Sequence, residues 1–314
     1  MSDERSTERD PKGAAAGKAD IAFLGTGLMG LPMASRLIKA GYSLKVWNRT
    51  PEKAAPLVDD GAQFCSGPSE AVAGAKFVCL CLTDSSAIQR VLFAGAEKYV
   101  AADATIVDFS TIGIEASRDF ANRLASGTRA QWLDCPVSGG VAGAKSGALS
   151  VFAGGDPGAL EQAGPLLACV ASRVTRMGDV GAGQAAKLCN QLIVATNLLS
   201  IAEAIALGET LSVDITRLPA AFQGGFADSR PLQIFGPRMA ADRDPGPAVA
   251  ELRTMYKDIT AILEEAAQRG FVPPLLDWVR SRYRQLIDKG VGGEDLPVLM
   301  RLYRDGRRDN SSTT

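Results

Sequence analysis

The sequence contains no histidine. An imidazole base, a Ser-His-Asp triad and a histidine-ligated metal are therefore excluded, and proton transfer must fall to Lys, Tyr, Cys, Asp or Glu. Excess charge is missing too: 34 Lys and Arg face 35 Asp and Glu, a net charge of -1. Such a balance offers no electrostatic footprint for nucleic acid or an anionic membrane surface, so a small molecule is the expected partner. The longest apolar runs, such as 77–82 and 192–195, fall far short of the roughly 20 residues needed to cross a bilayer, and no membrane span is expected. Residues 1–18 are polar, charged and Ala/Gly-rich, without the apolar centre of a secretory signal; they are expected to be a disordered extension. Six cysteines (Cys65, Cys79, Cys81, Cys135, Cys169 and Cys189) lack the clustered spacing of a disulfide framework or zinc site. A cytoplasmic location without a bound metal fits that usage.

What is present is long enough for two cores: 314 residues in the ordinary globular range of composition. Apolar runs of strand length recur at 21–24, 44–47, 77–82, 105–107, 132–137 and 149–153. Segments of mixed polarity, such as 30–40 and 85–99, separate them with enough length for helices. That alternation predicts a parallel sheet with helical crossovers. Past about Gly178 the pattern changes: 184–211 is rich in Ala, Leu and Ile, has no Pro and has Gly only at 208, which predicts one long helix. Further helices are predicted at 214–222, 251–268, 275–289 and 294–304. The expected organisation is an α/β domain at 19–180 and an all-α domain at 181–306, joined by a long interdomain helix at 181–211 and followed by a frayed tail at 307–314.

The first apolar run leads directly into Gly25, Thr26, Gly27, Leu28, Met29 and Gly30. By itself G-x-G-x-x-G describes many plain turns. Here a strand precedes it, a helix follows, and a second strand ends at Trp47, which together make the fingerprint of a Rossmann-like, doubly wound dinucleotide fold. The glycines permit a tight turn and let backbone amides approach a pyrophosphate at the helix N-terminus. After the second strand, a carboxylate would bond the ribose hydroxyls of NAD; this chain has Asn48, Arg49 and Thr50 instead. A guanidinium flanked by neutral donors suits a 2'-phosphate, so NADP is the expected cofactor and NAD the lesser alternative.

On the long helix, Gln184, Lys187, Asn190 and Gln191 share one face amid apolar neighbours. Burying a lysine and amides is unfavourable without partners or a cavity, while desolvation lowers a lysine pKa towards the range useful for proton exchange. The helix alone leaves two readings open, a catalytic Lys187 or a lysine that snorkels to the surface. A second feature, Ser138, Gly139 and Gly140 closing the motif that starts at Asp134, offers a hydroxyl and amides for a substrate carboxylate, or else a simple turn.

These motifs resemble those of the β-hydroxyacid dehydrogenase family (3-hydroxyisobutyrate dehydrogenase and tartronate semialdehyde reductase-like). The resemblance runs from about Ile21 to Arg304 and rests on GTGLMG at 25–30, DCPVSGG at 134–140, GAGQAAKLCNQ at 181–191 and the pair Lys257-Asp258. It implies a Rossmann-like domain followed by an all-helical one, assembled as a homodimer or homotetramer. It further implies that Lys187 donates or accepts the proton, that Ser138, Gly139 and Gly140 bind a small carboxylate substrate with Asn190 or Gln191, and that Leu82, Thr83, Thr111 and Lys257 contact the cofactor. The chain departs from many members at Thr83 and Ile114, where they carry Pro, and at Gln191, where they carry Asn. The segment 224–233 also differs from better-known members and is expected to shape the substrate pocket. The implied reaction is hydride transfer between NADP(H) and a short 3-hydroxy acid or its semialdehyde. Two alternatives remain, an imine reductase on the same scaffold, which usually lacks this lysine, and a catalytically silent NADP-binding scaffold or sensor.

Overall fold

Residues 21–241 and 250–308 are described by a computed structural model. The expected extension at 1–18 and positions 309–314 of the expected tail lie outside the described residues. The chain forms two compact units, one containing residues up to Thr111 together with Arg118–Val180, the other Ile112–Ser117 together with the residues from Gly181 onward. The sequence places a single boundary after 180; the structure adds Ile112–Ser117 to the second unit. The cause is local. Ile114 is buried in the second core, and the Ile112 amide donates to Gln184 Oε1 at 3.1 Å.

The first unit is built on nine strands: β1 (Ile21–Leu24), β2 (Leu44–Trp47), β3 (Gln63–Phe64), β4 (Phe77–Leu80), β5 (Thr105–Asp108), β6 (Gln131–Asp134), β7 (Val137–Ser138), β8 (Leu149–Gly154) and β9 (Ala171–Gly178). Their order is β3-β2-β1-β4-β5-β6-β8-β7, with β9 on β8, and β3 through β6 run parallel. Strands β1 and β4 are buried along their whole length, as the middle of a sheet covered on both faces requires. The single strand expected at 132–137 is two strands, because Pro136 has no N–H to continue the ladder; β7 turns to pair antiparallel with β8.

The helices of this unit are α1 (Gly30–Lys39), α2 (Ala55–Asp59), α3 (Pro68–Val72), α4 (Ser85–Val91), α5 (Ile114–Gly127) from Arg118 onward, α6 (Gly140–Ser146) and α7 (Pro157–Val170). Met33, Ala34 and Leu37 of α1 and Leu166, Leu167 and Val170 of α7 pack into the core with Phe23 and Val46. The helix expected over 85–99 stops at Val91, since Gly95 adopts a φ of +131° and only a short 3-10 turn, Ala96–Tyr99, follows.

The second unit is organised around α8 (Ala182–Thr210), with α9 (Leu218–Phe222), α10 (Arg230–Ala240), α11 (Leu252–Gln268), α12 (Pro274–Asp288) and α13 (Arg301–Arg308). The helix expected at 214–222 is a 3-10 turn followed by α9, and that expected at 294–304 is a 3-10 turn, Leu296–Met300, followed by α13. Arg307 and Arg308, the first two residues of the expected tail, are the last of α13. By length and composition α8 could cross a membrane, contrary to the impression left by the short apolar runs; half of its most apolar 18-residue window is buried inside the protein. Leu198, Leu199, Ile201, Ala202 and Ile205 form the centre of the second core with Leu252, Ile259, Val279 and Tyr283.

Tyr283 of α12 is fully buried and its hydroxyl donates to the Ala195 carbonyl of α8 at 3.3 Å. Tyr283→Phe keeps the ring and removes only that bond, so urea unfolding is expected to show a loss of about 1 kcal/mol, with an unchanged denaturant slope.

Candidate active site

Two constellations carry the chemistry, one in each unit. In the first, Gly25 has a φ of +102° and a side chain at Gly30 would place its Cβ 1.9 Å from the Gly25 carbonyl oxygen. Both positions require glycine. At Gly27 an added Cβ would meet nothing within 4 Å, so the backbone there is open to a ligand. No side chain caps the N-terminus of α1, and its first turn holds no acidic residue. The amides and partial positive charge at that end suit a pyrophosphate, and the loop fits a dinucleotide on its own geometry. Leu28 is exposed at the crest of the loop and Met29 packs against the core.

The loop after β2 adds a brace that the sequence did not disclose. The Thr26 amide donates to Asn48 Oδ1 at 3.0 Å, and Asn48 Nδ2 donates to the Thr50 carbonyl at 2.8 Å. Asn48 thereby ties the glycine loop to the second strand, while the Arg49 and Thr50 side chains remain exposed. At the ends of β4 and β5, Leu82 is half-buried, Thr83 exposed and Thr111 half-buried, and the Leu82 amide donates to Ser110 Oγ at 2.9 Å. Ser138 ends β7, and Gly139 and Gly140, with φ of +130° and +62°, carry the chain into α6.

In the second unit Lys187 is buried, with 8% of its surface exposed. This removes the alternative in which it snorkels to solvent. Its Nζ donates to Gln191 Oε1 at 3.0 Å, Asn190 Nδ2 donates to the same oxygen at 3.1 Å, and Gln191 Nε2 donates to Asp258 Oδ2 at 2.7 Å. Burial lowers the Lys187 pKa to about 8, with the nearby Asp258 charge opposing the shift. Lys257 is exposed on α11 and lies 3.6 Å from Asp258 Oδ1. Asp258 was visible in the sequence only as the neighbour of Lys257; its place at the far end of the lysine's hydrogen-bond chain needed the packing of α11 on α8. Gln184, the fourth polar residue of the stripe, spends its side-chain oxygen on the Ile112 amide. Among the described residues, no group of three or more His, Cys, Asp or Glu side chains could hold a metal ion.

Comparison with known proteins converges on one family. Residues 20–178 match the NAD binding domain of 6-phosphogluconate dehydrogenase, and residues 181–303 match the NAD-binding domain of NADP-dependent 3-hydroxyisobutyrate dehydrogenase. The chain is 32% identical to the 3-hydroxyisobutyrate dehydrogenase of Pseudomonas aeruginosa over 91% of its own length and 98% of that protein's. It is 34% identical to the 2-hydroxy-3-oxopropionate reductase of Escherichia coli, covering 78% of this chain and 84% of the other. Among solved structures, the 3-hydroxyisobutyrate dehydrogenase of Mycobacterium tuberculosis with L-serine matches with a TM-score of 0.82 and 28% identity over 91% of this chain and 99% of that one. An imine reductase from Pseudomonas sp. shares the fold at a TM-score of 0.61 and 21% identity, over 91% of this chain and 99% of its own. The glycine loop and the buried lysine thus stand in a chain that belongs to the β-hydroxyacid dehydrogenase family, NAD(P)-dependent oxidoreductases of the 3-hydroxyisobutyrate dehydrogenase type that act on CH–OH groups.

Proposed function

We propose that the protein interconverts a short 3-hydroxy acid and its semialdehyde with NADP(H), using Lys187 as the general acid/base. The observation that carries this is the buried amine itself, held by Gln191 and poised near pH 8. In oxidation the neutral Lys187 amine takes the hydroxyl proton at Nζ; in reduction the ammonium returns it. NADP(H) supplies the hydride acceptor or donor. Ser138, Gly139 and Gly140 orient the substrate carboxylate, keeping the carbinol carbon in register. Gln191 has its oxygen shared by two donors and its nitrogen committed to Asp258, which leaves Asn190 as the amide better able to meet the substrate.

The names of the relatives support the substrate class. 3-Hydroxyisobutyrate, 2-hydroxy-3-oxopropionate and L-serine each pair a carboxylate with a hydroxyl or aldehyde at the β-carbon. An imine reductase is disfavoured by Lys187. Turnover on a panel of short hydroxy acids and semialdehydes separates the dehydrogenase from that alternative and from a silent NADP-binding scaffold. The cofactor preference rests on Arg49, exposed where an acidic ribose ligand would stand. A reducing cytoplasm suits six cysteines none of which is paired.

A homo-oligomer, dimer or tetramer, is also part of this proposal. A groove of about 510 Å³ runs along α8, lined by Ile193, Ser200, Ala204, Phe222 and Leu275 among others, with Ala227 at its edge. Next to Ala227 the Phe226 ring is fully exposed. An exposed aromatic ring next to an apolar groove suits a two-fold assembly in which each copy's ring enters the other copy's groove.

Four outcomes are expected. Lys187→Ala should lower turnover by about 100-fold to 10,000-fold while NADPH binding is nearly intact; retention of more than about a tenth of activity would rule out the lysine mechanism. In the wild type, kcat/KM for oxidation should rise with pH and level off above about 8, while that for reduction falls through the same range, because the amine must be neutral to accept and charged to donate. NADPH should bind at least about tenfold more tightly than NADH, a difference of about 1.4 kcal/mol, and Arg49→Ala should erase most of it; equal dissociation constants in a fluorescence titration would refute the preference. Light scattering should give a dimer or tetramer at micromolar concentration, with Phe226→Asp lowering the association state.

A further inference from the structure

The sheet order assigns the parts of a bound dinucleotide to particular strand ends. β1 leads into the glycine loop, where the pyrophosphate belongs, and β2, carrying Arg49 just beyond it, lies on one side of β1. The opposite side is occupied by β4 and then β5. A dinucleotide laid across the C-terminal ends of such strands, with its 2'-phosphate ribose at β2, must extend its nicotinamide half over the ends of β4 and β5.

At those ends the regular ladder stops. Its last rung is the Phe109 amide donating to the Leu80 carbonyl at 2.8 Å. Beyond it a buried polar chain takes over: the Leu82 amide donates to Ser110 Oγ at 2.9 Å, the Ser110 amide donates to Asp108 Oδ1 at 2.9 Å, and the Ser110 hydroxyl also bonds the Asp108 carboxyl. Asp108 is fully buried and Ser110 nearly so.

Fold stability gives a poor account of Asp108. Its Oδ2 is buried without a hydrogen-bond partner, and its register neighbour on β6 is a second buried acid, Asp134. A carboxyl in that setting costs free energy that an apolar side chain would not. Burial, with Asp134 acting in the same direction, raises its pKa to about 7 against the two Ser110 bonds.

We infer that Asp108 and Ser110 are positioning residues that lock the loop carrying Leu82 and Thr83 to the loop carrying Thr111, so that the two present a fixed surface to the nicotinamide half of the cofactor. Asp108 fixes the Ser110 rotamer, and Ser110 in turn holds the Leu82 amide. Neither acts on the adenosine half, which belongs to β1 and β2.

This rests on the NADP reading above, and a pair of ligands tests it. Dissociation constants would be measured for NADPH and for 2'-phospho-ADP-ribose, which lacks the nicotinamide, with thermal melts as a check on folding. Ser110→Ala is expected to weaken NADPH by about tenfold, the scale of one lost hydrogen bond, and to leave 2'-phospho-ADP-ribose within about twofold. Asp108→Asn keeps an acceptor oxygen for Ser110 and should recover most of the NADPH affinity, whereas Asp108→Ala should match Ser110→Ala. Equal weakening of both ligands would mark the pair as merely structural, and unchanged binding of both would show that the chain has no bearing on the cofactor; either result overturns the inference. If the wild type prefers NADH, the NADP reading fails on its own, and NADH against ADP-ribose then decides the inference by the same criteria.

Discussion

Withdrawing a lysine from water is the constraint around which the second unit is arranged. Lys187 lies on a helix that is apolar around nearly its whole circumference, so its amine cannot be answered by solvent. Gln191, one turn later, provides the acceptor, and Asp258 on α11 fixes the orientation of that amide by taking its nitrogen. The carboxylate thus acts on the lysine both through space and through an intervening amide, without the direct ion pair that would hold the amine fully charged. This arrangement has an energetic cost. The folded protein holds the pKa at about 8 against an ordinary 10.5, so between those values the unfolded chain binds more protons than the native one. Stability from this group falls as pH drops through that window, by on the order of 3 kcal/mol below it. On the mechanism proposed above, that loss is what a protein without histidine accepts to obtain a near-neutral acid/base.

The first unit solves a different problem, which is close approach. The Gly30 position is set by the Gly25 carbonyl, where any side chain would overlap the backbone. Asn48 then couples the loop to the end of β2. The glycine loop is therefore a braced surface, with its one open backbone stretch at Gly27.

Much of this was legible in the sequence, and the reason differs from element to element. Strands β1 and β4 are buried along their whole length, so their apolar runs had to be continuous, and α8 announced itself by length without Pro. The lysine's polar stripe was also readable, because residues three and four apart on a helix must share a face. What could not be read depended on partners remote in sequence. β3 and β7 are two residues long and carry no periodicity of their own. β9 has six consecutive exposed residues and lacks an apolar signature. The link between Gln191 and Asp258 spans 67 positions, and nothing local marks it. α10 is a different kind of omission: Ser229 caps it by accepting the Leu232 amide at 3.1 Å, and Pro231 stands in its first turn. That start signal was present inside the segment 224–233, where no helix is expected from the sequence.

The path of the chain through Ile112–Ser117 bears on how the protein can be divided. Because this short stretch belongs to the second unit while the residues on both sides belong to the first, the backbone passes between the units three times rather than once. No single cut yields the first unit whole: a fragment ending at Val180 would still contain Ile114 but not the helices that bury it. A chimaera that exchanges the cofactor-binding half between relatives therefore keeps Ile114 matched to the helices that bury it only if the six residues 112–117 travel with the helical half.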